Sequence, residues 1–408
     1  MYHSTRIALA IACLCSISAV AQNAKSPEPK PSTSPIVTDA ARIKALQEFW
    51  TPERLAAAKP MPLPRVDPST VSANSAPAVA EPLHKSPPLL PTIRQDAAPE
   101  ASSERFPLNT GSDAEADATP SPDAFSYEMP FNNFRTGINN QFPYSAMGKL
   151  FFAIPAGVPG EAPGEYVCSA AVVGNAYTVV TARHCMFDYS SRKWYSNWVF
   201  FPEWNNGGSS SVGGLTAGGA VAGQHGAWYP EIAITWTSGS STVMSLTGGY
   251  DIGMFLMHDG TGTGCKGNKG RTIGSYTGAL GWVYGGSNAQ SQWNTFGYPQ
   301  GAPFEGNYLY QNNGATGTVN PLGSNDVVEV GDPQTGGCSG GPWVIGFNPN
   351  NNPNINPNNN FLNGNNYDNG VNSFVWTNPA QPLAMNGTIF QSANFYNLWT
   401  AAQALTCN

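Results

Sequence analysis

The chain has 408 residues, of which 41% are hydrophobic and 11% are charged, and its formal net charge is −7. This composition supports a large folded core, and the negative charge without a basic cluster argues against nucleic acid or an anionic membrane as a partner. Beyond the first 21 residues no apolar run is long enough to cross a bilayer, so the sequence predicts no membrane span.

The first 21 residues have the features of a secretory signal peptide. Arg6 provides a basic start, residues 7–20 form a short apolar run, and Ala19-Val20-Ala21 is a small-residue cleavage site. We therefore expect export to an extracellular or periplasmic compartment. Acylation of Cys13 or Cys15, as in a lipoprotein, is an alternative that the residues before these cysteines fit poorly.

The next segment, residues 22–131, is predicted to be a propeptide or linker and is called the leader below. Residues 22–125 hold 18 of the chain's 35 prolines and few aromatic residues, so most of the leader is expected to be disordered. Two short helices are predicted near residues 39–59, with Thr51 as an N-cap and Pro52 in the first turn that follows. The leader is expected to mask or help fold the domain after it; a plain linker is the alternative.

Residues 132–408 have the pattern of an all-β domain. Short runs rich in β-branched and aromatic residues recur between clusters of Gly, Pro and Asn, which is typical of a β-barrel or sandwich. One helix is predicted near the C-terminus, over residues 394–405. Residues 347–367 hold 12 asparagines and are expected to be a solvated insertion; an adhesive or binding loop is the alternative.

A serine framed by glycines is the first candidate for chemistry. Residues 332–343 read D-P-Q-T-G-G-C-S-G-G-P-W. Glycine reaches backbone angles that other residues avoid, so Ser339 can be presented to a substrate carbonyl. The amide N–H groups of Gly337 and Ser339 can then point at one oxygen, as an oxyanion hole requires. A Gly/Ser turn in a chain with 44 glycines is the alternative.

Two further stretches supply a base and a carboxylate. His184 follows a strand-like run in T-A-R-H-C, and a disulfide between Cys168 and Cys185 would clamp its loop. Asp251 opens the apolar run Y-D-I-G-M-F-L-M, where a buried carboxylate needs a partner such as a histidine N–H. A turn residue that caps the strand is the alternative. In the order His184, Asp251, Ser339, these groups fit a relay in which an imidazole held by a carboxylate activates a hydroxyl.

Together, T-A-R-H-C, Y-D-I-G-M-F and T-G-G-C-S-G-G-P resemble the signatures of chymotrypsin-fold serine peptidases. Residues 142–150, 297–299 and 386–390 are similar to the secreted, glutamyl-endopeptidase-like branch. The resemblance implies two packed six-stranded antiparallel β-barrels, a cleft between them that holds the three residues, and a C-terminal helix. It implies a monomeric serine endopeptidase that cuts proteins or peptides through an acyl-enzyme and needs no cofactor; no zinc-type cluster of His and Cys is visible.

Three departures from that family concern activation and specificity. Cys338 stands where many trypsin-like enzymes have an Asp that pairs with a new N-terminus, so maturation is expected to differ. Pro333 replaces the Asp that selects Arg or Lys, and Asn372 replaces the His that helps glutamyl endopeptidases bind a carboxylate. The substrate pocket is expected to include Pro333, Gln334, Asn372 and Ser373 and to be uncharged, which argues against basic specificity and leaves Glu specificity in doubt.

Five cysteines remain once the signal is removed, so one thiol is left over. Beside Cys168 and Cys185, a pairing of Cys265 with Cys407 is preferred, because it would tie the connection between the barrels to the final helix. Cys338 is then the free thiol, although the sequence also allows it a partner.

Two other classes of function stay open from the sequence. A secreted peptidase homologue could bind a target without cutting it, and a surface adhesin could be organised by the Asn-rich insertion.

Overall fold

The computed structural model describes residues 30–36, 40–71, 80–92, 131–136, 141–205, 226–238, 246–258, 272–286, 292–314, 326–349, 366–377 and 383–405. The predicted signal peptide, Cys265, Cys407 and most of the Asn-rich insertion lie outside these residues, so the statements about them stay predictions. Within the described ranges, no helix has the length and hydropathy needed to cross a membrane.

The described chain consists of many strands and a few short helices. The leader contributes β1 (Pro31–Pro35), α1 (Ala40–Phe49), α2 (Pro52–Ala57), β2 (Lys59–Pro60), β3 (Arg65–Val66) and β4 (Glu81–Ser86). The rest contributes β5 (Phe131–Arg135), β6 (Met147–Ile154), β7 (Gly164–Val172), β8 (Thr178–Thr181), β9 (Phe187–Asp188), β10 (Lys193–Trp194), β11 (Ser196–Pro202), β12 (Pro230–Trp236), β13 (Gly253–Met257), α3 (Ile273–Thr277), β14 (Gly281–Gly286), β15 (Trp293–Gly297), β16 (Tyr310–Gly314), β17 (Val327–Gly331), β18 (Pro342–Ile345), β19 (Tyr367–Trp376), β20 (Ala384–Ile389) and α4 (Asn397–Ala404).

The first large sheet is antiparallel through the strands that follow the leader, in the order β12-β13-β8-β7-β6-β11. The β6–β7 register runs without a break from Met147 opposite Ala171 to Ile154 opposite Gly164. An isolated bridge between Phe200 and Trp228 joins β11 to the chain just before β12, which curls the sheet toward closure. Most side chains of these strands are buried, which explains the nearly continuous apolar runs in their sequence.

The second large sheet has the order β17-β20-β19-β18-β15-β16, with β5 added beside β16. The strands at its opposite ends, β16 and β17, also approach each other: the side-chain amide of Asn312 in β16 donates to the carbonyl oxygen of Gly331 in β17 at 2.9 Å. Trp293 and Trp343 pack inside it with ring centroids 5.4 Å apart. The all-β architecture of two curled sheets with a C-terminal helix is therefore confirmed.

The leader is more structured than the sequence predicted. Among the described residues, β1 pairs antiparallel with β12 and β4 with β14, whereas β2 pairs parallel with β7 and β3 with β19. Helices α1 and α2 bury Ile43, Leu46 and Leu55 in the largest hydrophobic core, and Trp50, between the two helices, is buried there too. These described segments are ordered because they use the sheet edges and core of the following domain and need no core of their own. More than half of the leader lies outside the described residues, so the expectation for the leader as a whole stays a prediction.

The C-terminal helix packs against the first sheet. It is preceded by one turn of π-helix over Ser392–Tyr396, and α4 ends at Ala404. The Tyr177 hydroxyl donates to Gln403 Oε1 at 2.7 Å, and Trp236 Nε1 donates to the carbonyl oxygen of Asn394 at 2.9 Å. These bonds fix the end of the chain to β8 and β12.

Candidate active site

His184 and Asp251 are brought together by neighbouring strands of the first sheet. His184 lies in a 3-10 turn directly after β8, and Asp251 lies just before β13, which pairs with β8. His184 Nδ1 is 2.8 Å from Asp251 Oδ2, and the backbone N–H of His184 donates to Oδ1 at 2.9 Å. Both carboxylate oxygens are thus engaged, and the Asp251 side chain is fully buried.

Ser373 gives Asp251 a third partner, from the second sheet. Its hydroxyl donates to Asp251 Oδ2 at 2.6 Å. Ser373 was predicted to line the substrate pocket, whereas in the structure its hydroxyl bonds to the carboxylate. The carboxylate therefore joins the two sheets, and no motif in the sequence indicated this contact.

The surroundings of Asp251 keep it ionised. Burial by itself raises the pKa of Asp251, but His184, the buried guanidinium of Arg183 and the Ser373 hydroxyl together hold the pKa below its ordinary value. Two nitrogens of Arg183 are buried without a hydrogen-bond partner, so its charge acts on Asp251 through space. A carboxylate of lowered pKa stabilises the fold above its ordinary pKa, and this contribution is lost as the pH falls through the folded-state value.

The loop of residues 332–341, which carries the predicted nucleophile Ser339 and is called the nucleophile loop below, packs directly on the histidine turn, residues 183–185. The backbone N–H of Ser169 donates to the carbonyl oxygen of Ser339 at 2.8 Å, and Cys185 Sγ lies 3.8 Å from the same oxygen. Gly340 has φ +79°, and a Cβ there would lie 2.6 Å from the backbone nitrogen of Ala182 and collide with the Thr181 hydroxyl. Only glycine allows this approach, which explains the residue after Ser339.

The Asn372 side chain anchors the nucleophile loop through several hydrogen bonds. Its side-chain amide donates to the carbonyl oxygens of Phe296 and Cys338, at 2.9 and 3.1 Å, and its Oδ1 accepts from Trp343 Nε1 at 2.7 Å. Its backbone N–H also donates to the carbonyl oxygen of Gly341. Asn372 was predicted to line the substrate pocket, but its side-chain polar atoms hold the nucleophile loop.

The two atoms predicted to exchange a proton, one on Ser339 and one on His184, have no hydrogen-bond partner within the described chain. Among the described residues, Ser339 Oγ and His184 Nε2 are buried atoms without a hydrogen bond, to each other or to another group. Hydrogen bonds between catalytic groups are often long before substrate binds. His184 Nε2 is therefore open to a proton while Nδ1 is held by Asp251.

Gly337 presents its backbone N–H to a carbonyl oxygen of the leader. Its φ of +99° is a left-handed value that favours glycine, and its carbonyl oxygen is held by the Ser169 hydroxyl at 2.9 Å. The Gly337 N–H donates to the carbonyl oxygen of Met61, a leader residue, at 3.1 Å. The leader was expected to mask or help fold this domain, but nothing in the sequence indicated that Met61 is the residue that contacts Gly337.

A disulfide joins Cys168 in β7 to Cys185 in the histidine turn. These two sulfurs and His184 are the described residues that come closest to a metal-binding cluster, with ligand atoms within 4.8 Å, but sulfurs bonded to each other are not thiolates. Cys338 is a free, buried thiol whose pKa is raised well above its ordinary value by burial.

We expect the Cys168→Ser/Cys185→Ser double variant to lose about 3 kcal/mol of unfolding free energy, the value for a cross-link of this span, whose cysteines are 17 residues apart. Peptidase activity should fall with it, since the turn carrying His184 loses its tie to β7. Denaturant unfolding and peptide hydrolysis measure both. Ser190→Ala, at an exposed serine of the same loop region that is part of no disulfide, is the control and should keep wild-type stability; a double variant as stable as wild type would contradict the prediction.

Asp332, next to the predicted pocket residues Pro333 and Gln334, is an unusual carboxyl group. Asp332 is buried and accepts from the backbone N–H of Gln334 at 2.8 Å and from the Thr295 hydroxyl at 2.6 Å. Burial raises the pKa of Asp332 to about 7. The Gln334 side chain is buried with both polar atoms unpartnered, and the neighbouring Pro333 is half-buried. Among the residues predicted to line the pocket, Gln334 is therefore the one whose side chain has both polar atoms unpartnered.

We expect Asp332 to make the protein less stable as the pH rises from about 4 to about 7. Its pKa is higher in the folded state, so the folded chain holds a proton that the unfolded chain has released, and each pH unit costs up to about 1.4 kcal/mol. The Asp332→Asn side chain cannot titrate. Between pH 4 and pH 7 the unfolding free energy of this variant should therefore rise relative to that of wild type by on the order of 4 kcal/mol. Urea unfolding from pH 4 to pH 8 tests this.

The exposed carboxylate Glu305, changed to Gln, is the control and should follow the wild-type profile. Parallel profiles for wild type and Asp332→Asn would show that Asp332 does not titrate in this window.

Comparisons with known proteins gave matches among solved structures alone: no family model and no curated protein matches the chain. A thermostable serine protease AL20 from an extremophilic microorganism is 25% identical, covering 64% of this chain and 98% of its own, with a TM-score of 0.45. The protease Anisep from Arthrobacter nicotinovorans is 23% identical; the match covers 64% of this chain and 96% of the protease, with a TM-score of 0.45. A Glu endopeptidase in complex with MPD is 14% identical; the match covers 67% of this chain and 97% of the endopeptidase, with a TM-score of 0.41.

Proposed function

We propose that the chain is an exported serine endopeptidase that hydrolyses peptide bonds of proteins or peptides through an acyl-enzyme. One observation carries the proposal: the His184 imidazole is held by a fully buried carboxylate at 2.8 Å, its other nitrogen is free, and the backbone of Ser339 packs on the same turn. An imidazole fixed in this way acts as a general base for a nearby hydroxyl.

The chemistry proceeds in two halves. Ser339 Oγ attacks the substrate carbonyl carbon while His184 Nε2 takes the hydroxyl proton, and the tetrahedral intermediate forms. The C–N bond then breaks, and His184 gives the proton to the leaving amine, which leaves an ester on Ser339. Water attacks this ester by the same route, which releases the acid and restores the serine hydroxyl. Asp251 fixes the proton on Nδ1 and stabilises the imidazolium.

The developing oxyanion is held by the N–H groups of Gly337 and Ser339. The observation in favour of Gly337 is that its N–H already binds a carbonyl oxygen, that of Met61. Donors fixed before the reaction stabilise charge without reorganisation, which is the main source of rate in such sites.

Export and an uncharged primary pocket complete the proposal. The signal-like first 21 residues support export, and the disulfide is the kind of bond that persists in an oxidising compartment. Pro333 and Gln334 bring no charge to the predicted pocket, so we expect no preference for substrates with Lys or Arg.

Digestion of a defined peptide library by the matured protein, read by mass spectrometry, tests this function. We expect cleavage at internal peptide bonds without a preference for Lys or Arg on the acyl side. Binding of peptides without cleavage would instead support a non-catalytic peptidase homologue, and failure to do either would contradict the peptidase fold as the basis of function.

A further inference from the structure

We propose that residues 58–66 of the leader are an intramolecular inhibitor that lies across the cleft and blocks the oxyanion donor. The inference rests on the proposed peptidase function. It specifies how latency is achieved: by a backbone strand that occupies the position of the substrate.

The first contact of the inhibitor segment is with the proposed oxyanion donor, the Gly337 N–H. The Met61 carbonyl oxygen accepts from the Gly337 N–H at 3.1 Å. A Cβ added to Gly336 would lie 2.9 Å from the same oxygen and 3.5 Å from Pro62 Cα, so the leader backbone runs against this loop without a gap. A substrate carbonyl cannot reach the Gly337 donor while Met61 holds it.

On one side, the inhibitor segment is bound to the first sheet. The Met61 N–H donates to the carbonyl oxygen of Val167 in β7 at 2.9 Å. The carbonyl oxygen of Ala58 accepts from Gln300 Nε2 at 2.7 Å, and Gln300 Oε1 accepts from the buried ammonium of Lys149 at 2.7 Å. Gln300 is therefore fixed as a donor for peptide backbone.

On the other side, the same segment is bound to the second sheet. The N–H of Val375 in β19 donates to the carbonyl oxygen of Pro64 at 3.0 Å, and the N–H of Thr377 donates to that of Val66 at 2.9 Å. Within nine residues the leader thus crosses from β7 to β19 and passes the nucleophile loop between them. Ala58, Met61 and Val66 are all buried along this path.

The composition of the segment suits a strand that binds without being cut. It reads A-K-P-M-P-L-P-R-V, and its prolines favour an extended backbone that loses little entropy on binding. The bond after the Met61 carbonyl leads to Pro62, whose ring replaces the N–H and crowds the nitrogen that His184 would have to protonate.

The two leader helices keep the segment in place. Trp50 and Leu55, in and beside these helices, are buried in the main core, and Trp50 Nε1 donates to the carbonyl oxygen of Asn197 at 2.6 Å. A segment tethered in this way has an effective concentration in the millimolar range, so even a local dissociation constant of about 10 μM would keep it bound about 99% of the time.

The test compares labelling of Ser339 by a fluorophosphonate in full-length chains with an intact leader. Changing Pro60, Met61 and Pro62 together to glycine removes the stiffness and the buried side chain but keeps α1 and α2. We expect this variant to be labelled about 100-fold faster than wild type. Lys44→Ala, at an α1 side chain that is 76% exposed, is the matched control and should be labelled as slowly as wild type.

The outcomes separate the inhibitor from the enzyme. Wild-type full-length chain labelled as fast as the triple variant would overturn the inhibitor, as would slow labelling of a triple variant that unfolds at the wild-type temperature. A synthetic peptide of residues 57–67 should also slow the labelling of matured protein, whereas its scrambled version should not. If Ser339 of matured protein is never labelled, the peptidase function fails, and the inhibitor fails with it.

Discussion

Replacing Ser339 with alanine is expected to lower kcat of the matured protein by about 10⁶-fold, because the proposed acyl-enzyme forms on the Ser339 hydroxyl and alanine offers no group to acylate. The fold should be retained. Ser339 Oγ is buried without a hydrogen-bond partner, so its removal breaks no bond and leaves no new unsatisfied group. We expect the unfolding free energy to stay equal or rise by up to about 1 kcal/mol.

Peptide hydrolysis and denaturant unfolding of the same preparation measure the two quantities. Ser190→Ala, at an exposed serine that bonds only to Asp188 in the same turn, is the control and should retain full activity. Hydrolysis by Ser339→Ala within tenfold of wild type would remove the serine from the mechanism.

Replacing Asp251 with asparagine is expected to lower kcat by about 10⁴-fold near neutral pH. The asparagine amide would donate to His184 Nδ1, so the imidazole proton would move to Nε2. A protonated Nε2 cannot take the proton of Ser339, although all three side chains would keep their places. The buried position keeps water from substituting for the lost carboxylate.

The size of this effect depends on the pH, which separates a tautomer effect from loss of structure. Nucleophilic attack by a serine alkoxide grows with hydroxide, so the variant should recover part of its rate at high pH, whereas an unfolded site would not. Glu305→Gln, at an exposed carboxylate, is the control and should show no change at any pH. An Asp251→Asn enzyme with wild-type kcat near neutral pH would show that the carboxylate has no role.

The local elements of this fold were readable from local sequence. Apolar runs bounded by Gly and Pro predicted strands over residues 149–154, 166–173, 177–181 and 252–257, and the ends of β6, β7, β8 and β13 lie within two residues of these limits. The end of the chain was predicted to be helical and holds α4. Thr51 and Pro52 do begin α2, with the Thr51 hydroxyl accepting from the Arg54 N–H. These signals depend on neighbours in sequence, which is why they can be read without a structure.

Long-range contacts were not readable in this way. Ser373 bonds to Asp251, 122 residues away, and nothing near Ser373 in the sequence marks it as the partner of a carboxylate. The Asn372 side chain could equally have faced a substrate or the protein interior, and only the packing of Cys338 and Trp343 around it decides between these. Polar strands such as β16, with the sequence Y-Q-N-N-G, carry no apolar signal and were missed.

The long-range contacts of the leader were also not predictable from its sequence. Its proline-rich composition correctly indicates that it has no core of its own, but composition cannot show that Met61 and Pro64 bind to strands more than a hundred residues ahead. Strands formed on the edges of another unit need only free backbone groups, and these are invisible in the sequence.

The most direct measurement is to trap the acyl-enzyme. Matured protein is incubated briefly with an activated ester, quenched in acid, digested and examined by mass spectrometry. The mechanism predicts one acyl group, attached to Ser339, and none in Ser339→Ala. An acyl group on a different residue, or peptide hydrolysis that proceeds while Ser339 is never acylated, would contradict it.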